Sequence, residues 1–252
     1  MDPLFLTLGL AALLAGFVDA VAGGGGLVQV PALLGALPAA APATVFGTNK
    51  GASVFGSAGA AWRYGRRIAV PWRRVVLPAT LAALPAGYAG AAAVSVMPPA
   101  AVRPLALALL LAVFVHAAVR PEFGRVHGEM PAHPRRRALA IGAVIGFYDG
   151  FFGPGTGSFL IFAFIRGLGF DFLRASMSAK VVNVATNVAA LAFFVPHGHI
   201  VWPLAGVMAV CNVAGSALGA RVALRQGPGF VRLVFLIVTA ALIAKVGFDT
   251  LN

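Results

Sequence analysis

GFVDAVAGGGGLVQVP, residues 16 to 31, sets one acid and four consecutive glycines inside a run that is otherwise apolar. Residues 146 to 161, GFYDGFFGPGTGSFLI, are a second version of it. Sliding the chain against itself by 130 residues superposes Gly16, Phe17, Asp19, Gly23 and Gly25 on Gly146, Phe147, Asp149, Gly153 and Gly155 without a gap. The same offset sets Lys50 on Lys180 and Trp72 on Trp202. One register held over that distance implies two homologous halves.

Composition then decides the class. Hydrophobic residues make up 60% of the 252 positions and charged residues only 10%, against about 25% charged in soluble domains, and the mean hydropathy is +0.92. Apolar stretches long enough to cross about 30 Å of hydrocarbon recur from end to end, so the chain reads as an all-α polytopic membrane protein. Its net charge of +12 does not point to nucleic acid. The arginines cluster in short links between apolar runs, where topology signals and anionic lipid head groups are the expected readers. Cys211 is the only cysteine, which excludes an intramolecular disulfide or a thiolate metal cluster.

The apolar runs fall near 4–36, 44–61, 72–96 and 101–119, and again near 138–165, 175–195, 201–220 and 230–248. Residues 1–119 form the first half and 138–252 the second. The polar stretch 120–137, with Pro121, Pro131 and Pro134, is the link between them and is expected on the cytoplasmic side. Ala20-Val21-Ala22 has a small-x-small pattern, but no Lys or Arg precedes Lys50, so a cleavable leader is not expected.

Gly23–Gly26 and Gly153-Pro154-Gly155 each break a helix inside an apolar run, which a bilayer tolerates only where the break is buried in protein or lines a cavity. Each broken segment either continues across, giving eight crossings, or turns back as a re-entrant hairpin, giving three crossings per half. Eight crossings divide the arginines between the two faces. Re-entry places every one except Arg103 on a single face, which the positive-inside rule prefers. Re-entry also makes the halves an inverted repeat, with both termini outside the cytoplasm. The arginine-rich loop after Trp62 and its repeat equivalent 196–201, which holds only His197 and His199, then lie on opposite faces.

Lysine is used only at positions 50, 180 and 245, and the first two are repeat equivalents. Each sits about six residues, roughly 9 Å, into an apolar run, where an ammonium costs about 2.5–3.5 kcal/mol and is by default a functional group. Lys180, Asn183 and Asn187 share one helix face, and Lys50, Ser53 and Ser57 repeat that spacing. Two polar stripes from two halves point to one central cavity. Two readings of Asp19 and Asp149 stand side by side: proton carriers, or structural counter-ions of Lys50 and Lys180. Asn183 and Asn187 likewise either orient a ligand or bridge helices.

Other chemistries lack their signatures. Gly23–Gly26 is not followed by Gly-Lys-Ser/Thr and is no P-loop. HExxH and GxSxG are absent, so no enzyme, no catalytic residue and no cofactor is expected. His116, His127, His133, His197 and His199 read as interfacial or loop residues, with no metal site. Nothing in the sequence bears on the number of subunits.

Two halves of about four apolar segments, each opening with a glycine-rich GF-x-D motif, with Gly47-Thr48-Asn49-Lys50 and a second lysine at 180, resemble the TauE/SafE family of sulfite exporter-like permeases. The resemblance spans essentially the whole chain. It implies a multi-pass bacterial inner-membrane carrier for small anions such as sulfite or organosulfonates, working by alternating access. In that frame the helices resuming after Gly26 and Gly157 aim their positive ends at an anion, as in inverted-repeat carriers. The site expected comprises Lys50, Lys180, Thr48, Asn49, Asn183, Asn187, Gly25, Gly26, Thr156 and Ser158, with Asp19 and Asp149 as proton-coupling candidates. Ser178-Ala179 stands where the first half has Thr48-Asn49, so the two sides of the site are unequal. An anion channel built from the same residues is the alternative, and a membrane-bound enzyme or accessory subunit is a third class.

Overall fold

The computed structural model describes residues 3–96 and 129–226, with the isolated positions 98, 108, 111, 115, 119, 230, 233, 237, 240 and 244. The runs near 101–119 and 230–248, most of the link, Lys245 and the C-terminus therefore lie outside the described residues. Among those described the secondary structure is helical: α1 (Pro3–Ala22), α2 (Gly26–Ala36), α3 (Pro42–Gly65), a π turn (Trp72–Val76) leading into α4 (Leu77–Ser95), α5 (Pro134–Phe151), α6 (Thr156–Leu168), α7 (Phe172–Phe194) and α8 (Trp202–Gln226). Four of these stretches are long and apolar enough to cross a membrane: α1, the π turn with α4, α7 and α8. Helix α3 is as long, but Asn49, Lys50, Ser53, Ser57 and Arg63 lower its hydropathy. Helix α5 begins at Pro134, so Arg135–Arg137 of the polar link occupy its first turn.

The helix ends follow from local chemistry. Helix α1 stops where Gly23 takes φ 78°, and α5 stops before Gly153 at φ 90°, a left-handed conformation that favours glycine. Pro154 then has no N–H with which to continue α5. Gly169 closes α6 at φ 70°, and two residues later Asp171 caps α7, its Oδ1 accepting from the amides of Leu173 (2.9 Å) and Arg174 (3.0 Å).

Close contacts set the helix directions. Gly9 meets Cys211, Gly16 meets Asn212 and Gly219 meets Phe17, so α1 and α8 run parallel. Gly47 meets His199 and Gly56 meets Asn212, so α3 shares that direction. Gly142 meets Ala79 and Gly150 meets Gly87, so α4 and α5 are parallel to each other. The short loops 66–71 and 195–201 reverse the chain from α3 to α4 and from α7 to α8. Helices α1, α3 and α8 thus run one way, and α4, α5 and α7 the other. The half-length helices fold back on their predecessors: Gly25 lies beside Asp19 and Ala15, and Gly167 accepts from Arg137 Nη1 at 3.0 Å.

Small residues permit this packing. A methyl group on Gly16 would overlap the carbonyl oxygen of Asn212, and one on Gly150 that of Gly87. Within a bilayer, helices associate through such close backbone approach rather than through hydrophobic transfer. The outward faces stay apolar, with Leu6, Leu10, Leu13, Val144, Phe147, Val207, Val210 and Leu218 exposed.

Two apolar clusters divide the interior. One gathers Leu8, Leu33, Val45, Phe46, Phe193, Phe194, Leu204 and Met208. The other gathers Ala20, Val21, Tyr64, Val75, Leu160, Phe164, Leu168 and Phe172. Along α3, Asn49, Lys50, Ser53 and Ser57 lie between Phe46 and Tyr64, and along α7, Asn183 and Asn187 lie between Phe172 and Phe193. A polar layer is therefore held between two apolar plugs.

Candidate functional site

The two helix breaks meet in this layer. Ser158 donates its amide to Gly23 O at 2.9 Å and its hydroxyl to Ala22 O at 2.7 Å. A methyl group on Gly23 would overlap Gly157, and one on Gly26 would press on Pro154. Glycine here lets two backbones touch at the centre of the molecule.

A cavity of about 20 Å³ opens beside this contact. Helix α3 contributes Asn49, Lys50, Ser53 and Ser57 to its wall, and α7 contributes Asn183 and Asn187. Asp19 and Asp149 line it from the ends of α1 and α5, Gly25 and Gly26 from the start of α2, and Asn212 from α8. The positive end of the α2 dipole sits against the cavity. That volume holds about one water molecule.

The charges pair across the halves. Lys50 Nζ meets Asp149 Oδ1 at 2.6 Å, with the side chains 3% and 2% exposed. Lys180 Nζ meets Asp19 Oδ2 at 2.8 Å. Each lysine is thus neutralised by the acid of the other half. Buried charges are tolerated only when paired and hydrogen-bonded, and the two pairs differ in how fully this is met. Lys180 also donates to the main-chain carbonyl of Asp19, and Ser57 donates to Asp19 Oδ2 at 3.1 Å. Asp149 Oδ2, by contrast, is buried without a hydrogen-bond partner, as is Asn49 Oδ1.

The residues expected from the sequence therefore separate. Lys50, Asn49, Asn183, Asn187, Gly25, Gly26, Asp19 and Asp149 line the cavity. Lys180 is turned to the end of α1. Thr48 donates to Thr44 O at 2.7 Å and accepts from the amide of Val201 at 3.0 Å, which ties α3 to the loop before α8. Thr156 donates to Gly153 O at 2.7 Å, and Ser158 is engaged by α1. Helix α6 resumes at Thr156 rather than after Gly157. Asn183 and Asn187 bond to each other along one helix at 2.8 Å rather than bridging two. His197 stacks on Phe193, and no group of three metal-ligating side chains occurs among the described residues.

Two site residues escaped the sequence reading. Asn212 donates to Gln29 Oε1 at 3.0 Å, and Gln29 donates to Asn49 O at 3.3 Å. This buried relay links α8, α2 and α3 beside the cavity. A repeat search is blind to it, because the equivalent positions hold Ala82 and Phe159. Each amide is nonetheless a lone polar residue in an apolar run, the kind of signal that singled out Lys50.

The family model described as Sulfite exporter TauE/SafE matches residues 8–246. Among its relatives, a probable membrane transporter protein, ORF9, of Sinorhizobium sp is 33% identical over 239 residues, covering 95% of this chain and 90% of its own. The probable membrane transporter protein YfcA of Escherichia coli K12 is 33% identical over 251 residues, covering 99% and 92%. A probable membrane transporter protein of Haemophilus influenzae is 32% identical over 235 residues. No solved structure matches the chain. With the match running from α1 to beyond α8, the chain belongs to the sulfite exporter TauE/SafE family of multi-pass membrane transporters.

Proposed function

We propose that the chain is a secondary transporter that moves a small anion across the bacterial inner membrane by alternating access, with sulfite and organosulfonates as the cargo class. The observation that carries this reading is Lys50, a buried cation at the wall of a polar cavity between two helix breaks, ion-paired with Asp149 far along the chain. Rearranging the halves changes that pairing, which couples the charge offered to cargo to the conformation of the protein. The two apolar plugs, one on each side of the polar layer, are suited to open in turn.

The halves are read as an inverted repeat with re-entrant α1–α2 and α5–α6 hairpins. The opposed directions of α1 and α5, the folding back of α2 and α6, and the crossed ion pairs support that reading. Lys50 supplies positive charge, Asn49, Asn183 and Asn187 orient the cargo, and Asp149 and Asp19 are the groups that take up a coupling proton. Counterflow of labelled sulfite in proteoliposomes of the purified chain tests it. Saturable exchange with trans-stimulation is expected. Flux without counterflow would mean a channel, and no flux of any small oxyanion would refute the reading.

A further inference from the structure

Two polar atoms of the cavity wall, Asp149 Oδ2 and Asn49 Oδ1, are fully buried without a hydrogen-bond partner, and both are acceptors. An amide can turn to present its nitrogen, but a carboxylate has only oxygens to offer. The ammonium of Lys50 already serves Asp149 Oδ1. A fully deprotonated oxyanion brought to Lys50 would place acceptor against acceptor and negative charge against negative charge. A cargo that carries its own O–H or N–H next to its charged oxygens would reverse this. Its donor would satisfy Asp149 Oδ2 while its oxygen shared Lys50.

We infer, building on the anion-carrier reading, that the site selects anions bearing a hydrogen-bond donor, such as the monoprotonated form of an oxyacid, over anions with acceptors alone. The Lys50–Asp149–Asn49 side receives the cargo. On the Lys180–Asp19 side, Lys180 binds both the carboxylate and the main-chain carbonyl and Ser57 adds a third contact, so that pair is already satisfied without cargo. Leaving a buried acceptor unmade is costly, whereas satisfying it is not, so discrimination falls on the donor and not on size or net charge.

Methylphosphonate and methanesulfonate separate these properties, since they are nearly the same in shape. At a pH where methylphosphonate is a monoanion the two also share one negative charge, but only methylphosphonate carries an O–H. Calorimetric titration of the purified full-length protein is expected to give methylphosphonate an affinity higher by roughly tenfold or more. Raising the pH until methylphosphonate becomes a dianion should abolish that advantage, with methanesulfonate unchanged. In Asp149→Asn, whose amide can donate, methanesulfonate should reach parity. Equal affinity of the wild-type protein for both anions overturns the inference and leaves the carrier reading standing. Binding of neither, together with no binding of sulfite, defeats the carrier reading and this inference with it.

Discussion

Lys50 and Asp149, one from each half of the chain, face each other at 2.6 Å almost wholly out of solvent. The second pair, Lys180 and Asp19, is 2.8 Å apart and better supplied with partners. The two lysine–acid pairs therefore stand in unequal surroundings, and unequal consequences of mutation follow.

Lys50→Met should eliminate anion binding, because it removes the cation at the cavity wall. Lys180→Met should lower the melting temperature, since breaking a buried pair costs about 3–5 kcal/mol, yet retain a ligand-induced shift above its own baseline. Thermal unfolding with and without sulfite checks both. Normal binding by Lys50→Met would assign Lys50 a purely structural role.

Asp149→Asn imitates a permanently protonated carboxyl, so counterflow should persist while drive by a pH gradient disappears. Asp19→Asn leaves Lys180 with only main-chain compensation and should cost stability as well. Transport measured with and without an imposed gradient, alongside melting temperature, decides the matter: unchanged gradient dependence in both variants rejects proton coupling through these acids.

Gly150→Ala should destabilise the protein by roughly 1–3 kcal/mol, as overpacking does, because the added methyl overlaps the Gly87 carbonyl. Gly35→Ala, on α2 with nothing within 4 Å of the new methyl, should be neutral or stabilising by roughly 0.5–1 kcal/mol. Unfolding midpoints of the two variants in one detergent provide the comparison, and equal midpoints would contradict the packing described for α4 and α5.

Topology is open to cysteine labelling once Cys211 is replaced by serine. A cysteine at Gly65, exposed at the end of α3, should react only from the cytoplasm, and one at Pro196, exposed after α7, only from outside. Pro196 is preferable to Gly198, whose φ of 71° disfavours a side chain. Labelling of both sites from one face would reject the inverted arrangement.

The membrane class, the helical segments and the cavity lysine were legible in the sequence, because each rests on a cost that acts residue by residue. An ammonium inside an apolar run is expensive wherever the chain goes, so Lys50 announces itself. The Gly23–Gly26 run and Gly153-Pro154-Gly155 mark breaks, and α1 and α5 end there. That the two acids are counter-ions of the two lysines was one of the readings the sequence offered, but which acid serves which lysine was not legible. The repeat makes Asp19 and Asp149 equivalent, but only the opposed helix directions bring Asp149 to Lys50 and Asp19 to Lys180. Thr156 and Ser158 lie in the right motif, yet both hydroxyls are engaged by backbone carbonyls, Thr156 locally at Gly153 and Ser158 by tertiary contact at Ala22. Gln29 and Asn212 lack repeat partners and become neighbours only when α2 and α8 meet. Hydropathy and helix breaks are properties of position along the chain. Hydrogen-bond pairing depends on distances of a few ångströms between segments far apart in sequence, and only the packed helices determine those.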